Sequence, residues 1–392
     1  MTARVRTLGR LSEETLRNYC GQGRPAGIWV GTGAKDLCLH GAPTRKQLRA
    51  LMDAKHPGTG AQLGHKFSTS NSRPSAHGYD LTFAVPKDIS VYWALTNAAE
   101  RDEIEAAVNA AALAVLEHLD TTSPIRVNRD VVTGTGLVIG VFPQYVSRAG
   151  DPNLALRCVI SSKVRNPETG KWYALDAREL KHHQRAWSAL FHKGLEAELT
   201  RRLGFAWGDL QGNGLAAPLL GANRDLCAAL SSQTTFINAV LETKTDRFKT
   251  TIGREPNPLE QHRLHREAAV VRPARRQIRH ASDEEHRWTQ TATAIAGKNR
   301  YVADVKAHKT PPLHLTPSVA AEVARAIEPV REQVSKPWQI GRLVTEIARN
   351  LPSGLDLAAA DLVAQVYQWS DIQPPPGDDP GHVVDCRQTT PR

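Results

Sequence analysis

The alternation of apolar and polar positions divides the chain into a mixed first half and a helical second half. In "HGYDLTFAVP" the apolar residues Leu81, Phe83 and Val85 recur at every second position, the period of a strand with one face in a core. "AAERDEIEAAVNAAALAVLEHLD" instead places Ile104, Val108, Val115 and Leu119 on one stripe at helical spacing. "RVNRDVVTG" and "GLVIGVFPQYVS" read as two strands joined by the turn-like "TGTG" at 133–136. "ALRCVISSKV" and "KWYALD" read as two more, joined by "RNPETG". A single long helix is predicted from about Asp176 to Leu203, with Trp187, Phe191 and Leu199 inward. Near the start, the helices "SEETLRNY" and "TRKQLRALMDA", the second capped by Thr44, flank the glycine-punctuated "GIWVGTGAKDLCLHG".

Residues 224–300 are mostly helical and basic, and the proline-containing "KTPPLHLTP" leads into three further helical patterns. The pattern therefore predicts an α+β class, an antiparallel sheet flanked by helices with a helical C-terminal extension. The expected division is an α+β core at 1–223, a basic helical extension at 224–308, a small helical module at 309–372 and a coreless, disordered tail at 373–392.

A hydrophobic content of 41% in 392 residues supports one sizeable core. No apolar run approaches the ~20 residues of a membrane span, and no signal-peptide pattern opens the chain. The five cysteines, at 20, 38, 158, 227 and 386, are scattered without a CxxC, so the expected setting is a reducing cytoplasm. A formal charge of +10 favours an anionic partner, nucleic acid before others.

Six segments then occur in a telling order: "GIWVGTGAKDLCLHG", "GYDLTFAVPKDISVYWAL", "SRAGDPNL", "WYALDARELK", "LTRRLGFAW" and "GREPNPLEQHRLHREAAVVRP". Together, over roughly residues 17–295, they resemble the relaxase domain of the TrwC/TraI-like (MobF) conjugative relaxase–helicases. That resemblance implies a palm-like, five-stranded antiparallel sheet flanked by helices. It implies binding of hairpin and single-stranded DNA at a plasmid transfer origin, with relaxosome or other transfer proteins as further partners and no membrane. It also implies an N-terminal tyrosine that attacks a phosphodiester while three histidines hold a divalent cation on the phosphate. No GxxxxGK[ST] pattern occurs, so the helicase half is expected to be missing.

Set beside that family, this chain keeps Phe142, Ser147, Arg148, Asp151 and Pro152, but the three ligand positions fall on Gln144, Ala155 and Arg157. Alanine has no donor atom, glutamine is a poor neutral ligand and arginine repels a cation, so no metal and no cofactor are expected. Arg157 reads either as a solvated strand residue or as a guanidinium that receives the phosphate through bidentate hydrogen bonds. Upstream of the W-x-G-x-G segment the sole tyrosine is Tyr19, matching the family's second tyrosine pair within one residue. The first strand and the primary nucleophile are expected to be absent, leaving a bare sheet edge. Tyr19 is then a doubtful nucleophile and Asp80 an orienting residue, free to form a hydrogen bond or a salt bridge with Arg157.

Candidate DNA contacts are Lys87, at the family's "PKS" lysine, with Arg148, Arg157, Arg272, Arg275 and Arg276. Asp88 replaces the motif's serine and puts a negative charge beside Lys87. His182, His183 and His192 diverge on their helix and are read as surface or core-edge residues. The leading reading is a relaxase-like DNA-binding protein whose cutting is lost or strongly impaired. The alternatives are an active tyrosine transesterase using Tyr19, and a non-enzymatic partner of an intact relaxase recruited through the bare edge.

Overall fold

The computed structural model describes residues 4–21, 25–68, 75–121, 124–127, 130–134, 136–166, 168–271, 281–335 and 339–370. The strands among them are β1 (Arg4–Leu8), β2 (Ile28–Val30), β3 (Gly78–Ala84), β4 (Pro124–Val127), β5 (Asp130–Thr133), β6 (Ile139–Val146), β7 (Pro152–Ser161), β8 (Lys163–Arg165) and β9 (Trp172–Leu175). The helices are α1 (Glu13–Cys20), α2 (Thr32–Asp36), α3 (Arg45–Met52), α4 (Lys87–Leu95), α5 (Ala98–Thr121), α6 (Arg178–His182), α7 (Gln184–Leu203) and α8 (Arg224–Ala229). They continue with α9 (Ser232–Ile252), α10 (Pro258–Val270), α11 (Ala281–Ile295), α12 (Lys298–Ala307), α13 (Pro317–Arg331), α14 (Ile340–Asn350) and α15 (Ala359–Ser370).

The expected antiparallel sheet flanked by helices is present, in the order β1-β3-β7-β6-β2, and a second antiparallel sheet has the order β5-β4-β9-β8. Period-2 alternation gives the main sheet two different faces. On one face Leu81, Phe83, Leu156, Cys158 and Ile160 join the core built from α5 and α7. On the other, Phe142 and Val159 pack under Leu16 and Tyr19 of α1 and Leu48, Leu51 and Met52 of α3. A Thr44–Gln47 capping box starts α3 and aims those three apolar residues at the sheet. Each such fully buried aliphatic side chain contributes roughly 2 kcal/mol.

Several expectations change. The first strand is not absent: β1 pairs with β3 from Arg4↔Thr82 to Leu8↔Gly78 and occupies the edge that was expected to be bare. The "TGTG" segment does not join a hairpin, because β5 pairs with β4 and β6 with β7 and β2, so it carries the chain from one sheet to the other. Gly136, at φ +117°, suits that crossing, since a side chain there would meet Thr32 and Asp120. β3 is buried on both faces rather than one, because α1 and α3 cover its second face. The helix expected from Asp176 to Leu203 is broken at His183, which caps α7. The tail at 373–392 lies outside the described residues.

α7 is buried all round, and its buried charged residues are paired. Lys193 bonds Glu196 at 2.7 Å and Ser353 at 3.1 Å, while Glu196 accepts from the amide of Ala217 and Glu198 from that of Ala359. These bonds tie α7 to the start of α15 and to the loop before it. Ile327 of α13, Leu343 and Ile347 of α14, and Leu362 and Val366 of α15 belong to the same core as the main sheet.

His118 of α5 stacks on Tyr367 of α15 with ring centroids 3.6 Å apart, and burial lowers its pKa from 6.5 to about 4. The unfolded chain therefore binds this proton at a higher pH than the folded one. The stability from neutral His118 is complete above about pH 6.5 and is lost as pH falls toward 4. Denaturant midpoints of the wild type and His118→Phe, measured from pH 7 downward, are expected to diverge between about pH 6.5 and 4, the wild type falling faster. Parallel curves would show that the ring contributes no such term.

Candidate functional site

Register brings the three substituted family positions together. Ala155 lies opposite Ala84 on one side and Gln144 on the other, and Arg157 lies opposite Thr82 and Phe142. All share the face of the sheet that carries Asp80, two residues from Thr82 on β3. Onto this face α1 lowers Tyr19, whose ring centroid is 5.0 Å from that of Phe142. The Tyr19 hydroxyl donates to Asp80 Oδ2 at 3.0 Å. Arg157 Nη2 donates to the Tyr19 oxygen at 2.8 Å and forms an ion pair with Asp80. The guanidinium carbon stands 4.6 Å from the centre of the Tyr19 ring, and Thr82 Oγ1 donates to Asp80 Oδ1 at 3.2 Å. Tyr19, Asp80 and Arg157, each singled out in the sequence for a separate reason, thus form one cluster.

The electrostatics of this cluster oppose a nucleophile. Tyr19 is 3% exposed. Burial, then the charge of Asp80, pushes its phenol pKa upward, outweighing the opposing pull of Arg157. Burial pulls the Arg157 pKa down, but the charge of Asp80 more than offsets this and the net direction is up. The result is a neutral phenol beside a permanent cation and its counter-ion. Asp80 Oδ2 accepts from both partners, so the carboxylate is engaged within the cluster. An attacking tyrosine needs access and a route for its proton, and burial denies the first.

The donor set does not fit a divalent cation. Gln144 turns its amide nitrogen to the carbonyl of Val146 at 3.1 Å, Ala155 offers a methyl, and Arg157 offers positive charge. Among the described residues, no three His, Cys, Asp or Glu side chains gather in a metal-holding group.

The other candidate residues scatter. Lys87 does not face a phosphate path: its ammonium donates to the carbonyls of Pro152 at 2.7 Å and Leu230 at 2.8 Å, and burial lowers its pKa. It joins the start of α4 to β7 and to the end of α8, a structural role. Asp88 accepts from the amide of Leu219 at 2.8 Å, and burial raises its pKa. Arg148 stands exposed at the tip of the β6–β7 turn, whose Asp151 is anchored by Ser232 at the start of α9. Arg272, Arg275 and Arg276 lie outside the described residues. His182 is exposed, His183 begins α7 and His192 is buried, three separate environments.

Two residues escaped the sequence reading. Arg4 and Arg6 are exposed on β1 and pair opposite Thr82 and Asp80, on the face of the cluster. The signal in the sequence is the period-2 R-x-R of "RVRTL".

Comparison with known proteins agrees with this architecture. The model of the TrwC relaxase family matches residues 5–295, beginning inside β1. The multifunctional conjugation protein TraI of Escherichia coli is 31% identical over 166 residues, which are 41% of this chain and 9% of that protein. The chain thus matches under a tenth of the length of that relative. The conjugative relaxase TrwC, solved in complex with OriT DNA without metal, superposes with a TM-score of 0.62 at 25% identity, over 75% of this chain and 98% of that one. TrwC with a 27-mer DNA comprising the recognition hairpin and the cleavage site gives 0.61 at 24% identity, over 74% and 98%. With the family model spanning both faces of the sheet and the helices behind it, the chain belongs to the TrwC relaxase family.

Proposed function

We propose that this conjugation-type relaxase relative holds hairpin or single-stranded DNA on its main sheet and does not cut it. The observation that carries this reading is the Tyr19–Asp80–Arg157 cluster, with a guanidinium on a family cation-ligand position and the nearest tyrosine buried beneath it. Support for the ligand comes from the family, from relatives solved with OriT DNA and from the charge of +10. A guanidinium supplies charge and directed hydrogen bonds to a phosphate but does not polarise it as a Lewis acid does. Arg148, on its exposed turn, and Arg272, Arg275 and Arg276 remain part of this proposal as backbone contacts.

One observation favours a second reading, an active transesterase: the Tyr19 phenol does touch a carboxylate. The third, a partner that docks through a bare sheet edge, loses its main support now that β1 covers that edge.

Incubation with single-stranded transfer-origin oligonucleotides and magnesium or manganese is expected to give salt-sensitive binding, unaltered by EDTA, and no covalent adduct. An adduct that Tyr19→Phe abolishes would replace this reading with the second.

The cluster itself makes a separate prediction. Asp80→Asn leaves Arg157 without its counter-ion in a largely buried setting, and the expected loss in chemical denaturation is roughly 3 kcal/mol, the order found when one partner of a buried pair is removed. The same substitution adds one net positive charge to the face, so DNA affinity at low salt should rise. Unchanged stability together with unchanged affinity would show that the pair neither holds the site nor tunes it.

A further inference from the structure

The edge strand that the sequence reading missed carries charge in one direction only. Val5 packs against the helical core and its amide donates to Gln184 at 2.9 Å, so the alternation of β1 sends Arg4 and Arg6 to the opposite face. That face is the one holding Tyr19, since Leu8, on the same side of β1, packs against the core that contains it. Register then defines two neighbouring rows across the sheet. Arg4, Thr82 and Arg157 form one row, and Arg6, Asp80 and Val159 the next. Along β1 the two arginines are about 7 Å apart, and β1 and β7 are separated by roughly 10 Å across β3. Three guanidinium groups therefore stand over a small patch in which the sheet supplies a single carboxylate, Asp80, already paired with Arg157. Among the described residues neither Arg4 nor Arg6 forms an ion pair.

We infer that Arg4 and Arg6 of β1, together with Arg157 of β7, form a phosphate-binding strip along which a single DNA strand crosses the edge of the main sheet. The inference rests on the DNA-holding reading above and adds to it the site, the path and two unassigned residues. Like charges gathered without counter-ions repel one another, and an anion that bridges them relieves that repulsion. A strand of phosphates does so at successive positions. The two β1 arginines are exposed, suited to backbone contact without base reading. Arg157, held by Asp80 and lying over Tyr19, is the fixed member that sets where the strand enters.

The test uses the full chain and a short oligothymidylate, with affinity followed by fluorescence anisotropy over a salt series. The double variant Arg4→Ser/Arg6→Ser should reduce the slope of log affinity against log salt by about 1.4, since each single-strand phosphate contact contributes about 0.7. Arg4→Lys/Arg6→Lys should keep the wild-type slope, which a structural role for the guanidinium groups would not predict. Arg300→Ser, an exposed residue of α12, serves as the charge control and should change little. If the double serine variant, folded by circular dichroism, binds with wild-type slope while the wild type binds well, the strip is overturned and the DNA-holding reading stands. If the wild type itself does not bind, both fail.

Discussion

A carboxylate that is 1% exposed in the middle of a sheet must meet a cation, and the Arg157–Asp80 pair answers that requirement in this molecule. Much of the cluster depends on it. The pair gives Tyr19 both a hydrogen-bond acceptor and a cation over its ring, and so helps to fix α1 on the sheet. With α1 in place, Leu16 closes the second core over Phe142 and Val159, where α3 also packs. An ion pair that is only partly shielded is a modest source of stability in itself. Its larger effect here is on specificity, since an Arg157 without Asp80, or the reverse, would leave an uncompensated charge in the same place.

The same interaction separates scaffold from chemistry. A divalent cation in such a position polarises a phosphoryl oxygen and stabilises charge that develops as a bond breaks. A guanidinium offers planar, directed donors and a fixed charge to phosphate oxygens, without the Lewis-acid polarisation that a metal supplies. The fold behind the site is intact: the sheet order, the buried α7 with its paired charges and the shared core of α13–α15 do not depend on what Arg157 does.

Legibility in the sequence followed the range of the forces involved. Strands β3 and β7 and helices α3 and α5 could be read directly, because alternation, helical stripes and the Thr44 cap are local. β1 could not, since its alternating residues are arginines and its place is decided by pairing with β3, seventy-odd residues away. "TGTG" looked like a hairpin turn because glycines mark turns, whereas Gly136 serves the close approach to Thr32 and Asp120. Lys87 was read as a phosphate contact from its motif, yet two carbonyls distant in sequence claim its ammonium. Asp80 and Arg157 were legible as a possible salt bridge once the ligand positions were seen to be substituted. The burial of Tyr19 beneath them was not, because it is set by how α1 docks.

Charged residues on β1 invite a simpler explanation, since an exposed edge strand needs charge to discourage pairing with other chains. That requirement concerns the edge and is indifferent to face: one arginine on each side of β1 would meet it as well. The observed arrangement is not indifferent. Val5 enters the core, and both Arg4 and Arg6 turn to the side where Asp80 is already neutralised by Arg157. Placing two further cations there works against compactness of the free protein, because among the described residues no carboxylate on the sheet pairs with them. Protection of the edge explains why β1 is basic; it does not explain why the charge is gathered over the site of a family whose members are solved with DNA. A phosphate strand accounts for both the sign and the side.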